Sequence, residues 1–113
     1  MNCIFCKIAN GEIPAKKIYE DDRVLAFYDI APQAPIHILI IPKKHFATLL
    51  EIGEEDSQLI GHIFLVANKI AKELKIDESG FRIVVNCNRD GGQTVFHLHF
   101  HLLAGRPMHW PPG

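Results

Sequence analysis

The sequence predicts an α+β domain in which an antiparallel sheet is backed by one long helix. Three observations carry that reading. Short runs rich in β-branched and aromatic residues are set off by turn signals, one long stretch repeats its apolar residues at helical spacing, and a closing stretch alternates histidine with apolar residues.

Taken in order, Lys17 to Glu20 and Val24 to Asp29 read as two short strands separated by the turn Asp21-Asp22-Arg23. Pro32 and Pro35 force an irregular connection. Ile36 to Ile41 is an almost unbroken apolar run, interrupted by His37 and ended by Pro42, as in a central strand. From Glu54 to Lys75, Leu59, Ile60, Ile63, Phe64, Ala67, Ile70, Ala71 and Leu74 recur at three- and four-residue spacing, which predicts an amphipathic helix. Its charges agree with the helix dipole: Glu54, Glu55 and Asp56 stand at the start, Lys69, Lys72 and Lys75 toward the end. Ser79-Gly80 closes that unit, Phe81 to Asn86 is the next strand, Asp90 to Thr94 a glycine loop, and Val95 to Leu103 the last strand. No repeat, linker or low-complexity stretch divides the chain, so residues 1–113 are expected to form one domain, with 104–113 as a tail.

A chain of 113 residues with 48% hydrophobic content builds a modest core, and dimerisation would add to it. A net charge of −1 with scattered Lys and Arg leaves no electrostatic footprint for a nucleic acid. No apolar run reaches membrane-spanning length, and residues 1–7 lack the basic start and apolar centre of a signal peptide, so the expected compartment is the cytoplasm, with no membrane partner. Three cysteines, two of them spaced as Cys3-x-x-Cys6, suit a metal clip in a reduced compartment better than a disulfide framework.

The chemistry concentrates in His97, His99 and His101. On a strand, a period of two sends these imidazoles to one face and Phe96, Leu98, Phe100 and Leu102 to the other. Histidine titrates nearest neutrality, so such a row offers nucleophile, acid and base together. Packing three adjacent imidazoles would set them competing for few partners. The stronger rival is a His-ligated zinc hydrolase. Ahead of the row, Gly91, Gly92, Gln93 and Thr94 supply flexible backbone, an amide and a hydroxyl, the donors a phosphate needs.

The run His97-Leu98-His99-Phe100-His101-Leu102-Leu103 resembles the motif of the histidine triad family, His-φ-His-φ-His-φ-φ with φ apolar. The likeness extends through Phe27 to Pro35, His37 to His45, Asn86 and the tail Gly105 to Gly113, whose ending is similar to that of the Hint branch, the histidine triad nucleotide-binding proteins. The resemblance implies a HIT-like fold whose sheet continues across a homodimer, and a purine nucleotide as ligand. It assigns the nucleophile to His99, the phosphate contact and leaving-group proton to His101, and orientation or metal ligation to His97, with His37 completing the cluster. It gives Asp29 the ribose hydroxyls, although an isolated Asp there reads as a turn carboxylate. Phe5, Ile8, Ile13, Phe27, Tyr28, Ile30 and Leu39 are compatible with an apolar slot for the base. Asn86, Gly92, Gln93 and Thr94 are expected at the phosphate, and Trp110 beside the partner's nucleotide.

The resemblance further implies one structural zinc held by Cys3, Cys6, His45 and His97, and no catalytic cofactor. His62 reads as a surface residue of the helix. Cys87, Asn88 and Arg89 depart from the family pattern, which bears on the leaving group. The implied activity is hydrolysis of nucleoside phosphoramidates. A dinucleoside polyphosphate hydrolase and a slow-turnover nucleotide sensor use the same residues and stay open.

Overall fold

The computed structural model describes residues 2–113. Five strands form one sheet in the order β1-β2-β3-β5-β4: β1 is Lys17–Glu20, β2 Val24–Tyr28, β3 Ile36–Pro42, β4 Phe81–Val84 and β5 Phe100–Ala104. Every neighbouring pair is antiparallel, and the almost wholly buried β3 is central, as its apolar run predicts. Three helices accompany the sheet: α1 (Ile4–Ala9), α2 (Ser57–Glu73) and the single turn α3 (Asn88–Gly91).

The two faces of the sheet have different covers. Val24, Ala26, Ile38, Ile40, Phe100, Leu102 and Ala104 pack with Ile63, Val66, Ala67 and Ile70 of α2 into the main core. On the opposite face Leu25, Phe27, Leu39 and Ile41 pack with Phe5 and Ile8 of α1. Burying a side chain such as Phe5 or Ile8 stabilises by about 1.5–3 kcal/mol. That anchorage matters because a six-residue helix cannot stand alone in water. The sequence reading missed α1, whose few residues are too short to display a helical period.

The predicted helix from Glu54 to Lys75 is shorter. Glu54–Asp56 forms a 3-10 turn in which Asp56 accepts from the Gly53 N–H at 3.0 Å, and α2 starts at Ser57. At the other end Lys75 takes a left-handed conformation (φ 58°), the Ile76 N–H donates to the Ala71 carbonyl at 2.9 Å and the Lys75 N–H to that of Lys72 at 3.2 Å. This Schellman cap stops the helix well before Ser79-Gly80.

The last predicted strand, Val95 to Leu103, forms only from Phe100 onward. Its pairing with β3 ends at Ile40↔Phe100, because the next carbonyl available on β3, that of Pro42, is taken by the His97 ring (2.8 Å), and proline has no N–H to offer. The Leu98 N–H turns instead to the Phe46 carbonyl at 2.7 Å. Leu98, Phe100 and Leu102 keep their place in the core, whereas Phe96, expected with them, is half exposed.

His62 is more than a surface residue. Its Nε2 lies 2.6 Å from Asp21 Oδ2, which also accepts from the Tyr19 hydroxyl at 2.7 Å, while Asp21 Oδ1 accepts from the N–H groups of Arg23 and Val24. The β1–β2 turn is thereby tied to α2. Burial alone would raise the Asp21 pKa, but hydrogen bonds from His62, Tyr19 and the turn outweigh it and hold the carboxyl well below its ordinary value. Asp21→Ala should therefore cost about 1–3 kcal/mol in chemical denaturation at pH 7. A carboxylate stabilised in the folded state contributes fully above its unfolded pKa, so the wild-type advantage should shrink as pH falls below about 4. A gap between the two proteins that persists at lower pH would contradict this assignment.

Candidate active site

Five imidazoles crowd the end of the sheet where β3 and the 97–101 segment meet. The His37 and His101 rings have centroids 5.1 Å apart, His99 and His101 4.9 Å, and His45 and His97 4.9 Å, with the edge of Phe5 against both His97 (5.9 Å) and His99 (5.2 Å). His97, His99 and His37 are buried, and His101 is partly so.

Hydrogen bonds with the backbone fix the tautomers. His99 Nδ1 lies 2.7 Å from the His97 carbonyl oxygen, which only accepts, so Nδ1 carries the proton and Nε2 keeps its lone pair. Nε2 has no hydrogen-bond partner, yet no fully buried polar side-chain atom among the described residues lacks one, so this nitrogen reaches solvent. At His37 the ring faces a donor: the Gln33 N–H points at Nδ1 (3.0 Å), which places the proton on Nε2. Nε2 then donates to His101 Nδ1 at 2.9 Å, and the His101 proton is left on its own Nε2. The outcome is one acceptor nitrogen on His99 beside one donor nitrogen on His101.

Asp29 Oδ2 stands 3.5 Å from His37 Nε2, and its Oδ1 accepts from the Ala31 N–H at 2.8 Å. Ligand atoms of Asp29, His37 and His101 all lie within 4.8 Å of one another, a spacing open to a metal ion. The donor set argues against one: with Gln33 N–H on Nδ1, His37 would have to give up its Nε2 proton to bind a cation. The same contacts serve a hydrogen-bond chain.

Cys3, Cys6, His45 and His97 form the second cluster, with ligand atoms again within 4.8 Å. Cys3 Sγ is 3.3 Å from His97 Nδ1, Cys6 Sγ 3.4 Å from His45 Nδ1 and 3.5 Å from His97 Nδ1, and the two Nδ1 atoms are 3.1 Å apart. Tetrahedral zinc with its usual Zn–S and Zn–N lengths needs edges of about 3.3–3.8 Å, so the four atoms sit close to the corners of that polyhedron. His97 Nε2–H donates to the Pro42 carbonyl, which leaves Nδ1 unprotonated for a cation and is the usual outer support of a metal-bound histidine. These residues fit a metal, and the set of four is closed.

Around the clusters the predicted residues divide. Phe5, Ile8, Phe27 and Leu39 do come together, with Ile13 packed at their edge. Tyr28 does not: the alternation of β2 turns it to the main core, under the Lys16 ammonium at 4.9 Å, and Ile30 is fully exposed. Gln93 is buried as a brace, donating to the Ala47 (2.8 Å) and Val95 (3.0 Å) carbonyls and accepting from the Asn88 N–H at 2.9 Å, so its amide has no spare donor. The N–H groups of Gly92 and Gln93 close α3 by donating to the Arg89 and Asn88 carbonyls, both at 3.0 Å. Of the expected phosphate donors, exposed Thr94 and half-buried Asn86 remain uncommitted. Trp110 is 83% exposed on the tail. Sequence reasoning overlooked Gln33 and Arg106, whose roles run through backbone atoms.

The model of the HIT domain matches residues 10–108. The chain belongs to the HIT domain family. A HIT-like protein of Synechococcus elongatus is 54% identical over 110 residues, 97% of this chain and 96% of that one. Among solved structures, a HIT family hydrolase from Legionella pneumophila superposes with TM-score 0.97 at 55% identity, covering 99% of this chain and 100% of that one. A histidine triad nucleotide-binding protein from Candida albicans gives TM-score 0.84 at 39% identity, over 97% and 83% of the two chains. The five-stranded antiparallel sheet with its helices is thus the fold of HIT hydrolases.

Burial holds the His37 pKa below its ordinary value, and burial together with His99 and His37 pushes that of His101 down to about 4. Unfolded histidines protonate near pH 6.5 and these resist it, so the folded HIT domain should lose stability as pH falls from about 6.5 toward 4. NMR titration of the ligand-free protein should place the His101 midpoint near 4. A midpoint near 6.5 would show the cluster to be more hydrated than its packing indicates.

Proposed function

We propose that this HIT protein is a homodimeric purine-nucleoside 5'-phosphoramidase working through a nucleotidyl intermediate on His99. The observation that carries the reading is the 2.7 Å hydrogen bond from His99 Nδ1–H to the His97 carbonyl, which commits Nε2 to be a nucleophile. His99 Nε2 attacks phosphorus and the P–N bond breaks with its electron pair going to the amine. The negative phosphate opposes the burial that keeps His101 neutral in the free protein, so in the complex His101 takes up a proton at Nδ1, the hydrogen bond from His37 Nε2–H opens, and His101 Nε2–H passes its proton to the departing amine. Water then attacks phosphorus, the P–Nε2 bond breaks, and His101 recovers a proton from the water.

Asp29 is assigned to the ribose hydroxyls, Phe5, Ile8, Phe27 and Leu39 to the base, Thr94 and Asn86 to the phosphate, and Trp110 to the partner's site. Cys3, Cys6, His45 and His97 would hold one zinc as a tether for α1; with four protein ligands it has no open position for chemistry, which favours this reading over a zinc hydrolase.

His99→Ala should lower turnover of an adenosine phosphoramidate by on the order of 10³-fold or more, with a much smaller effect on nucleoside monophosphate affinity. Turnover near that of wild type would overturn the mechanism. A parallel assay with a diadenosine polyphosphate separates the phosphoramidase from the polyphosphate hydrolase.

Metal analysis of untagged protein should find close to one zinc equivalent. Replacing Cys3 and Cys6 by serine should lower Tm more than kcat. Chelation that abolishes turnover with Tm unchanged would instead point to catalytic zinc.

A further inference from the structure

The chain of hydrogen bonds that ends on His101 does not begin at His37. The Arg106 Nη2 donates to the Gln33 carbonyl at 3.0 Å across 73 positions of sequence, and Nη1 donates to the Pro107 carbonyl at 3.1 Å, so the planar guanidinium is held at two points. The Gln33 N–H is the group that faces His37 Nδ1. Ile36 pairs with Ala104, which brings the exit of β5 beside the loop preceding β3. The contact there is close: a Cβ on Gly105, whose φ is +93°, would lie 2.8 Å from Pro35 Cβ.

We propose that Arg106 is a positioning residue that sets the tautomer of His37, and through it the donor nitrogen of His101. Among the described residues, the one hydrogen bond that ties the Gln33 carbonyl to the β5 exit is that from Arg106; the Gln33 side chain bonds locally to the Ala31 carbonyl at 3.0 Å. With the carbonyl held, the amide on the other side of Gln33 presents its N–H to the ring. Without it the 31–35 loop is freer to turn, His37 Nδ1 can take the proton, and His37 Nε2 becomes an acceptor. His101 Nδ1 would then have to donate, and its Nε2 would lose the proton that faces the reacting phosphate. The effect on turnover rests on the function proposed above, whereas the effect on the tautomer does not.

Two readouts test the inference on the full-length protein. Long-range ¹H–¹⁵N correlation of the imidazoles should show His37 and His101 as Nε2–H tautomers in wild type, and a mixed population for both in Arg106→Ala. Phosphoramidate kcat should fall roughly tenfold in that variant, with KM changed less than about twofold, because the ligand contacts are untouched. Arg106→Lys keeps one donor for the Gln33 carbonyl and should lie between the two. Gly105→Ala, which pushes on Pro35, should disturb the same two rings by a different route. Unchanged tautomers in Arg106→Ala would overturn the proposal, even if Tm falls. Absence of phosphoramidase turnover in wild type would instead count against the proposed function and leave the tautomer test intact.

Discussion

Everything at the sheet end depends on giving each imidazole one proton in one place. A neutral histidine is donor at one nitrogen and acceptor at the other, and four of them in contact can be wired in many ways. Here the backbone removes the choice. The Pro42 carbonyl puts the His97 proton on Nε2, the His97 carbonyl puts the His99 proton on Nδ1, and the Gln33 N–H puts the His37 proton on Nε2 and hence that of His101 on its Nε2. Since a buried polar group left unpaired costs about 1–3 kcal/mol, a ring turned the wrong way carries a comparable penalty. Three alternate histidines thus acquire defined tautomers that trace back to three backbone neighbours.

The fold supplies those neighbours. β3 lies between β2 and β5, so His37 meets the strand that carries His101, with the register His37↔Leu103 and Leu39↔His101 setting the offset. Ending the ladder at Phe100 frees His97 and His99 from strand geometry, and this allows a side chain to bond the carbonyl two residues before it. A continuous strand would have turned that carbonyl toward a neighbouring strand. The departure from regular structure is where the site is made.

Much of this was legible in the sequence. The apolar runs of β2 and β3, the apolar period of α2 and the triad motif specify the sheet, its helix and the family to which the chain belongs. The family resemblance placed both cysteines with His45 and His97. What could not be read were effects of backbone atoms. Gln93 looks like a phosphate ligand by residue type, yet its amide is spent on the Ala47 and Val95 carbonyls. Tyr28 and Ile30 share a stretch with Phe27 and Asp29, and a period of two sends Tyr28 to the wrong face for the slot. The shortening of the last strand follows from Pro42 lacking an N–H and from His97 claiming its carbonyl, a long-range competition with no local signature.

His97 links the two clusters, and the link is short. Its ring belongs to the cysteine set, while its carbonyl holds the tautomer of His99. Hydrogen bonds weaken steeply with angle and distance, so a small rotation of His97 would be felt at His99. The residue is accordingly the most constrained of the row: fully buried, bonded at Nε2 to β3, faced at Nδ1 by both cysteines and His45, and flanked by Phe5. Phe5 rides on a helix too short to hold itself, which Cys3 caps from its N-terminus. Tethering that helix and steadying the His99 ring are therefore one structural task, and the two cysteines belong to the architecture of the imidazole cluster through His97.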